Sequence, residues 1–162
     1  MAFAVVRIRG SEQAGERVKR TLKQLRLNRI NHMVFVRQDP TMKGMLETAK
    51  DYITWGEVSA EMIAKVLIRR GEPIGKRRKL NDDFIKQNSE NYKSVLSFAK
   101  AIEDDKANLS SVKNLQPVIR LHPPRGGFEN VKKSYRAGGS LGYRGKDIEA
   151  LLERMIVPLK GE

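Results

Sequence analysis

The chain has 162 residues, with 32 Lys and Arg against 19 Asp and Glu, a net charge of +13 and 40% apolar residues. This length supports one ordinary domain, or a small core with an elaboration, and the charge excess answers to a polyanion, nucleic acid first and an anionic membrane surface second. The absence of cysteine excludes disulfides, thiolate metal sites and a cysteine nucleophile, and the opening "MAFAVVRIRG" is too short an apolar run for a signal peptide, so a reducing, cytoplasmic setting is expected.

Residues 2–9, "AFAVVRIR", begin apolar and then alternate, which predicts a strand with Val6 and Ile8 on one face and Arg7 and Arg9 on a wet one. Ala14, Val18, Leu22 and Leu25 recur at helical spacing, with Arg17, Arg20, Lys23 and Arg26 on the opposite arc, so an amphipathic helix with a basic outer face follows. "HMVFVRQ", residues 32–38, is a second strand, apolar on both faces and therefore central. Asp39 and Pro40 read as N-cap and first position of a second helix through about Lys50, before a short third strand, "YITW". The first strand-helix-strand unit is expected to be a right-handed crossover between parallel strands.

Beyond this point Ser59 caps a helix striped by Met62, Ile63, Val66 and Leu67 and ended by Arg69, Arg70, Gly71 and Pro73. "GKRRKLNDDF", residues 75–84, lacks an apolar period and reads as a loop. Tyr92, Val95, Leu96, Ala99 and Ile102 mark another helix, with a short helical turn near Leu109 to Leu115. "QPVIRLH" is a strand candidate, confined by Pro117 to an edge or to a sheet of its own. The basic, glycine-rich stretch 121–145 follows, with too few apolar residues for a core of its own. Ile148, Leu151, Leu152 and Met155 mark a last helix closed by Pro158.

Positive charge falls in three blocks. Residues 17–37 hold seven bases and no acid, and 65–79 and 117–146 hold seven against one each; residues 81–106 and 147–162 are balanced or acidic. One partner surface touching all three blocks explains this better than solubility does.

Motifs that carry phosphate or acid–base chemistry fail on their spacing. Gly145 and Lys146 are followed by Asp147 rather than Ser or Thr, and Gly139, Gly142 and Gly145 do not fit the dinucleotide fingerprint. His32 and His122 are too few and too far apart for zinc. The pairs Asp82-Asp83 and Asp104-Asp105 point apart on a helix and suit capping, no serine has an elbow motif, and Trp55 reads as core. The glycines of 121–145 can bring backbone close to another surface, while Arg125, Lys132, Lys133, Arg136 and Arg144 donate to phosphates and Phe128, Tyr135 and Tyr143 stack on bases. A solvated hairpin whose glycines serve turns alone is the alternative.

The order of these pieces resembles the large-subunit ribosomal protein family numbered thirty in bacteria and archaea and seven in eukaryotes. The matching stretches are "AVVRIRG", "LKQLRLNRINHMVFV" and "DPTMKGMLETAKDYITWG" in residues 1–58, then "LIRRGEPIGKRRKLND", "LHPPRGGF" and "GGSLGYRGKDIEALLERM" of the longer archaeal and eukaryotic form. A start at the first strand and a length beyond the bacterial form point to the archaeal type. The resemblance implies an α+β fold: a two-layer sandwich with a β-α-β-α-β core over 1–58, a three-stranded sheet with helices on one face, and a mostly helical extension over 59–162 carrying the basic glycine-rich loop. It also implies a structural constituent of the large subunit that binds large-subunit ribosomal RNA near the 5S RNA, beside neighbouring large-subunit proteins, with no catalysis, cofactor, metal, membrane or small-molecule substrate.

By motif, Asn28, Arg29, His32, Lys43, Gly44, Arg125, Gly126 and Gly127 are expected to face RNA. The basic blocks and strand end add Arg7, Arg9, Arg17, Arg20, Arg26, Lys76, Arg77, Arg78, Lys79, Lys132, Lys133, Arg136 and Arg144. Two rival readings are a duplex-DNA-binding module, and a small phosphate-handling enzyme for which Arg9 and Gly10 are the only hint.

Overall fold

A computed structural model describes residues 2–75 and 80–156. Three five-residue strands form the centre: β1 (Phe3–Arg7), β2 (His32–Val36) and β3 (Ile53–Glu57). Between them lie α1 (Glu16–Gln24) and α2 (Pro40–Thr48), the latter opened by the Asp39 carboxylate, which accepts the Met42 N–H at 2.7 Å, with Pro40 in the first turn.

β1 is the middle strand, antiparallel to β2 on one side and to β3 on the other. The expected parallel crossover between the first two strands is therefore corrected. The segment after α1 brings the chain back to the end of β1 that it had left, where the Asn31 N–H donates to the Arg7 carbonyl at 2.8 Å. Arg26 and Asn31 make this return with φ of +63° and +68°. β2 and β3 run parallel with β1 between them, so the crossover belongs to α2.

The alternation along β1 assigns its residues to two faces. Phe3 and Val5 meet Leu22, Leu25 and Leu46 under α1 and α2. Ala4 and Val6 meet a larger cluster drawn from α3 (Ala60–Arg70), α5 (Val95–Glu103) and α6 (Ile148–Ile156). Within residues 2–58 the sheet carries α1 and α2 on one face, and α3, α5 and α6 cover the second face as a third layer. Arg7 was expected on a wet face and is 6% exposed, because the return loop folds over it.

Three more strands widen the sheet to the order β4-β2-β1-β3-β6-β5. β4 (Ile119–Arg120) is the expected edge strand after Pro117 and pairs with β2. β5 (Asn130–Ser134) and β6 (Gly139–Tyr143) lie inside the stretch read as a loop without a core. β6 adds in parallel to β3, with Thr54 opposite Gly142 and Trp55 opposite Tyr143, and Leu141 is buried. The segment thus borrows a core from β3, which composition alone does not reveal.

A second difference is α4 (Asp82–Asn88), which begins inside the segment 75–84 read as a loop and continues beyond it. Asn81 caps it, only Ile85 is fully buried, and a helix this short shows no apolar period. Asp82 also accepts the Val95 N–H at 2.8 Å at the start of α5, so one member of the acid pair is a cap. The expected closure of α6 by Pro158 lies outside the described residues.

Candidate nucleic-acid interface

The first group of candidate residues stands where α1 returns to β2. Leu27 is fully buried and pins the return, leaving Asn28, Arg29 and Ile30 exposed. His32 faces Arg120 across the β2–β4 ladder, and the Arg70 Nε–H donates to the Arg120 carbonyl at 3.2 Å. The charges acting on His32 are all arginines: Arg120, Arg29 and Arg7. Arg120 and Arg70 were not singled out from sequence, although Arg120 sits in a basic block and "RR" ends a helix.

Arg7 lies beneath this group with its donors committed. It gives hydrogen bonds to the carbonyls of Leu27 at 2.8 Å and Arg9 at 2.9 Å and to Ser11 Oγ at 2.8 Å. It positions the return loop and is not turned outward. Arg9 is half-buried with its guanidinium 5.4 Å from the Tyr52 ring centroid. Arg17 and Arg20 are exposed one turn apart on α1, and Arg26 is exposed just after it.

The second group flanks a groove of about 500 Å³ near the other end of β1. Lys43 of α2 and Lys50 stand on one side and Arg136, in the turn between β5 and β6, on the other. Structure thus brings together Lys43 and Arg136, 93 positions apart in sequence (136 minus 43). Gly44 beside Lys43 is exposed inside a helix, and a Cβ there would meet nothing within 4 Å. A helical glycine that costs stability and fills no packing role leaves room for another backbone to come close. Gly44→Ala is expected to raise the unfolding free energy of the free protein by about 0.5–1 kcal/mol in urea titrations while weakening its RNA binding.

Lys132 and Lys133 are exposed on the edge strand β5. Arg144 is not: it is 7% exposed, its Nε–H donates to Thr54 Oγ1 and its Nη2–H to the Ser140 carbonyl, both at 2.8 Å, and its guanidinium lies 4.8 Å from the Tyr135 ring centroid. Burial lowers its pKa. Arg144 clamps β6 onto β3, so we assign it, like Arg7, to positioning the interface.

The third group is the exposed turn Arg125, Gly126 and Gly127, whose glycines take φ of +79° and +76°. Arg154 of α6 holds it, donating to the carbonyls of Arg125 at 3.0 Å and of Gly127, and pairing with Glu129 at 3.3 Å. The turn is therefore tied to the layer opposite α1 and α2. Sequence reasoning missed Arg154, which sits alone in an acidic stretch. His122 is buried, with Nδ1 2.8 Å from the Pro123 carbonyl. Lys76, Arg77, Arg78 and Lys79 lie outside the described residues. Among the described residues no group of His, Cys, Asp and Glu could hold a metal ion, and no helix is long and apolar enough to cross a membrane.

A family model described as ribosomal protein L30p/L7e matches residues 3–53. The large ribosomal subunit protein uL30 of Methanobrevibacter smithii is 44% identical over 154 residues, covering 95% of this chain and 99% of that protein. That of Thermoplasma volcanium is 45% identical over 156 residues, covering 96% and 93% respectively. The chain belongs to the ribosomal protein L30p/L7e family. That of Archaeoglobus fulgidus, 44% identical over 153 residues, covers 94% of the chain and 99% of its own length, so the likeness to these uL30 proteins extends through the third layer and the turn at Arg125. The residues matched to the L30p/L7e model include the return loop and Lys43.

The cation cluster on this L30p/L7e core has a consequence for pH. Partial burial first, then Arg120, Arg29 and Arg7, hold the His32 imidazole below its ordinary pKa of 6.5. The unfolded chain takes up this proton at a higher pH than the folded one, so stability falls as pH drops below about 6.5 and stops falling below the folded pKa. His32→Gln is expected to reduce the fall in urea midpoint between about pH 7.5 and 5.5. Equal falls in the two proteins would rule out this linkage.

Proposed function

We propose that the protein is a structural constituent of the large ribosomal subunit that binds large-subunit ribosomal RNA, close to the 5S RNA, and works in the cytoplasm on the ribosome. The observation that carries this is the likeness, over nearly the whole of both chains, to proteins named large ribosomal subunit protein uL30. The geometry supports it: the outward arginines and lysines neutralise phosphates, while Arg7 and Arg144 are spent on building the surface. Contacts to RNA shape, phosphates and 2′-hydroxyls would dominate over sequence readout.

The family is one of structural ribosomal proteins, not enzymes. Arg9 and Gly10, the only hint of a phosphate-handling site, form no cradle: Arg9 lies over Tyr52, and a Cβ on Gly10 would meet the Glu12 carboxylate at 2.9 Å.

The test is a high-salt sucrose gradient of native-host lysate carrying a tagged copy, paired with binding of the purified protein to large-subunit RNA, 5S RNA and duplex DNA. Comigration with the large subunit and preference for ribosomal RNA over DNA are expected. Material only at the top of the gradient, or equal affinity for DNA, would contradict the proposal. Stripping 5S RNA from the subunit should loosen the protein if the two are neighbours.

A further inference from the structure

The groove between α2 and β6 holds more than charge. Phe3, Trp55 and Tyr143 line it together with Lys43, Lys50 and Arg136. Tyr143 is 41% exposed, so part of its ring is open to solvent. Its hydroxyl donates to Glu57 Oε1 at 2.5 Å. Its ring meets Phe3 edge-on at 77° and Trp55 at 46°, both with centroids 6.3 Å apart. The ring is therefore fixed in place before anything binds, so little side-chain freedom remains to be given up on binding.

We propose that this groove takes one unstacked nucleobase of single-stranded or bulged RNA, stacked on Tyr143, with the flanking phosphates held by Lys43, Lys50 and Arg136. The inference rests on the RNA-binding reading and deepens it. The groove's volume of about 500 Å³ falls within the roughly 300–1,000 Å³ of sites that enclose a small ligand. Charge complementarity favours a nucleotide: three cations stand against the carboxylates of Glu47 and Glu57, and Glu57 is occupied by the Tyr143 hydroxyl. A base within a duplex has both faces covered, so stacking on this ring selects a base that is splayed out.

The chain contains a single tryptophan, and Trp55 lines this groove, so its emission reports occupancy without a label. Purified full-length protein would be titrated with an unstructured octamer of uridine ribonucleotides and with a matched RNA duplex. The single strand is expected to change Trp55 emission at saturation and the duplex to leave it nearly unchanged. Tyr143→Leu is expected to weaken octamer binding by about 5- to 150-fold without altering its salt slope, because stacking releases no counterions. Tyr143→Phe, which keeps the ring, is expected to restore most of that affinity. Saturating octamer that leaves wild-type Trp55 emission unchanged would overturn the proposal even if Tyr143→Leu does not fold. So would undiminished affinity of a folded Tyr143→Leu protein, and the groove would then be left to a protein neighbour. If large-subunit RNA still bound with a steep salt slope, the RNA reading would stand while this inference fell. Absence of any preference for ribosomal RNA would sink both.

Discussion

Changing Arg125, Lys132, Lys133 and Arg136 together to Ala lowers the salt slope of ribosomal RNA binding by about 0.7–0.9 for each phosphate that is no longer neutralised. All four side chains are exposed, on the Arg125 turn, on β5 and in the turn after it. The core beneath them is made by Leu141, Ser140 and Arg144, so the variant should fold with a thermal midpoint near that of wild type. If each of the four cations pairs with one phosphate, affinity should drop on the order of 10³-fold at 0.1 M salt, with the deficit shrinking as salt rises. Filter binding across a salt series reads both quantities. An unchanged slope would remove this segment from the interface and leave RNA binding to the return loop, α1 and α2.

Gly56→Ala acts on the scaffold and should be among the most damaging methyl groups that could be added at the described glycines. Gly56 lies on β3 opposite Ala4, and a Cβ there would stand 1.9 Å from the Gly145 carbonyl oxygen and 3.0 Å from Ile148 Cβ. Neither neighbour is a flexible side-chain tip. One is backbone just past β6 and the other opens α6, so the methyl group is accommodated only if that segment retreats from the sheet. The expected cost is about 3 kcal/mol, a large part of the roughly 5–15 kcal/mol that holds a domain together. For a chain of this size that lowers the thermal midpoint by about 6–12 °C. RNA binding should weaken too, since Tyr143 ends β6 two residues before the displaced Gly145. A midpoint within about 2 °C of wild type would mean that β6 and α6 are not packed on β3 as described.

Local chemistry made much of the fold legible. The Asp39-Pro40 and Ser59 caps, the stripe of α3, the edge strand after Pro117 and the start of α6 follow from side-chain pattern and capping residues. What stayed hidden were properties of pairing. Whether α1 returns the chain to the near or the far end of β1 depends on the loop 25–31, which adopts positive φ at Arg26 and Asn31, and no periodicity encodes this. The core of 130–144 is borrowed from β3 through buried Arg144, whose cationic side chain reads as a ligand-binding group until Thr54 and the Ser140 carbonyl are seen around it.

The same distinction governs the site. Exposed cations in runs, such as Arg17 and Arg20 or Lys132 and Lys133, are recognisable from composition. Arg7 is not separable from them by sequence, because its burial comes from Leu27, twenty positions away. Arg154 and Arg120 were overlooked because neither lies in a run of adjacent cations, and only tertiary structure sets Arg154 behind the Arg125 turn and Arg120 against His32.

The most direct test of the central claim is ultraviolet crosslinking in large subunits purified from the native host, with crosslinked peptides identified by mass spectrometry. If the outward cation groups hold ribosomal RNA, crosslinks should fall on peptides containing Arg26–His32, Lys43–Gly44 and Arg125–Arg136. Crosslinks confined to the acidic surface of residues 81–106, with none on those peptides, would contradict the account.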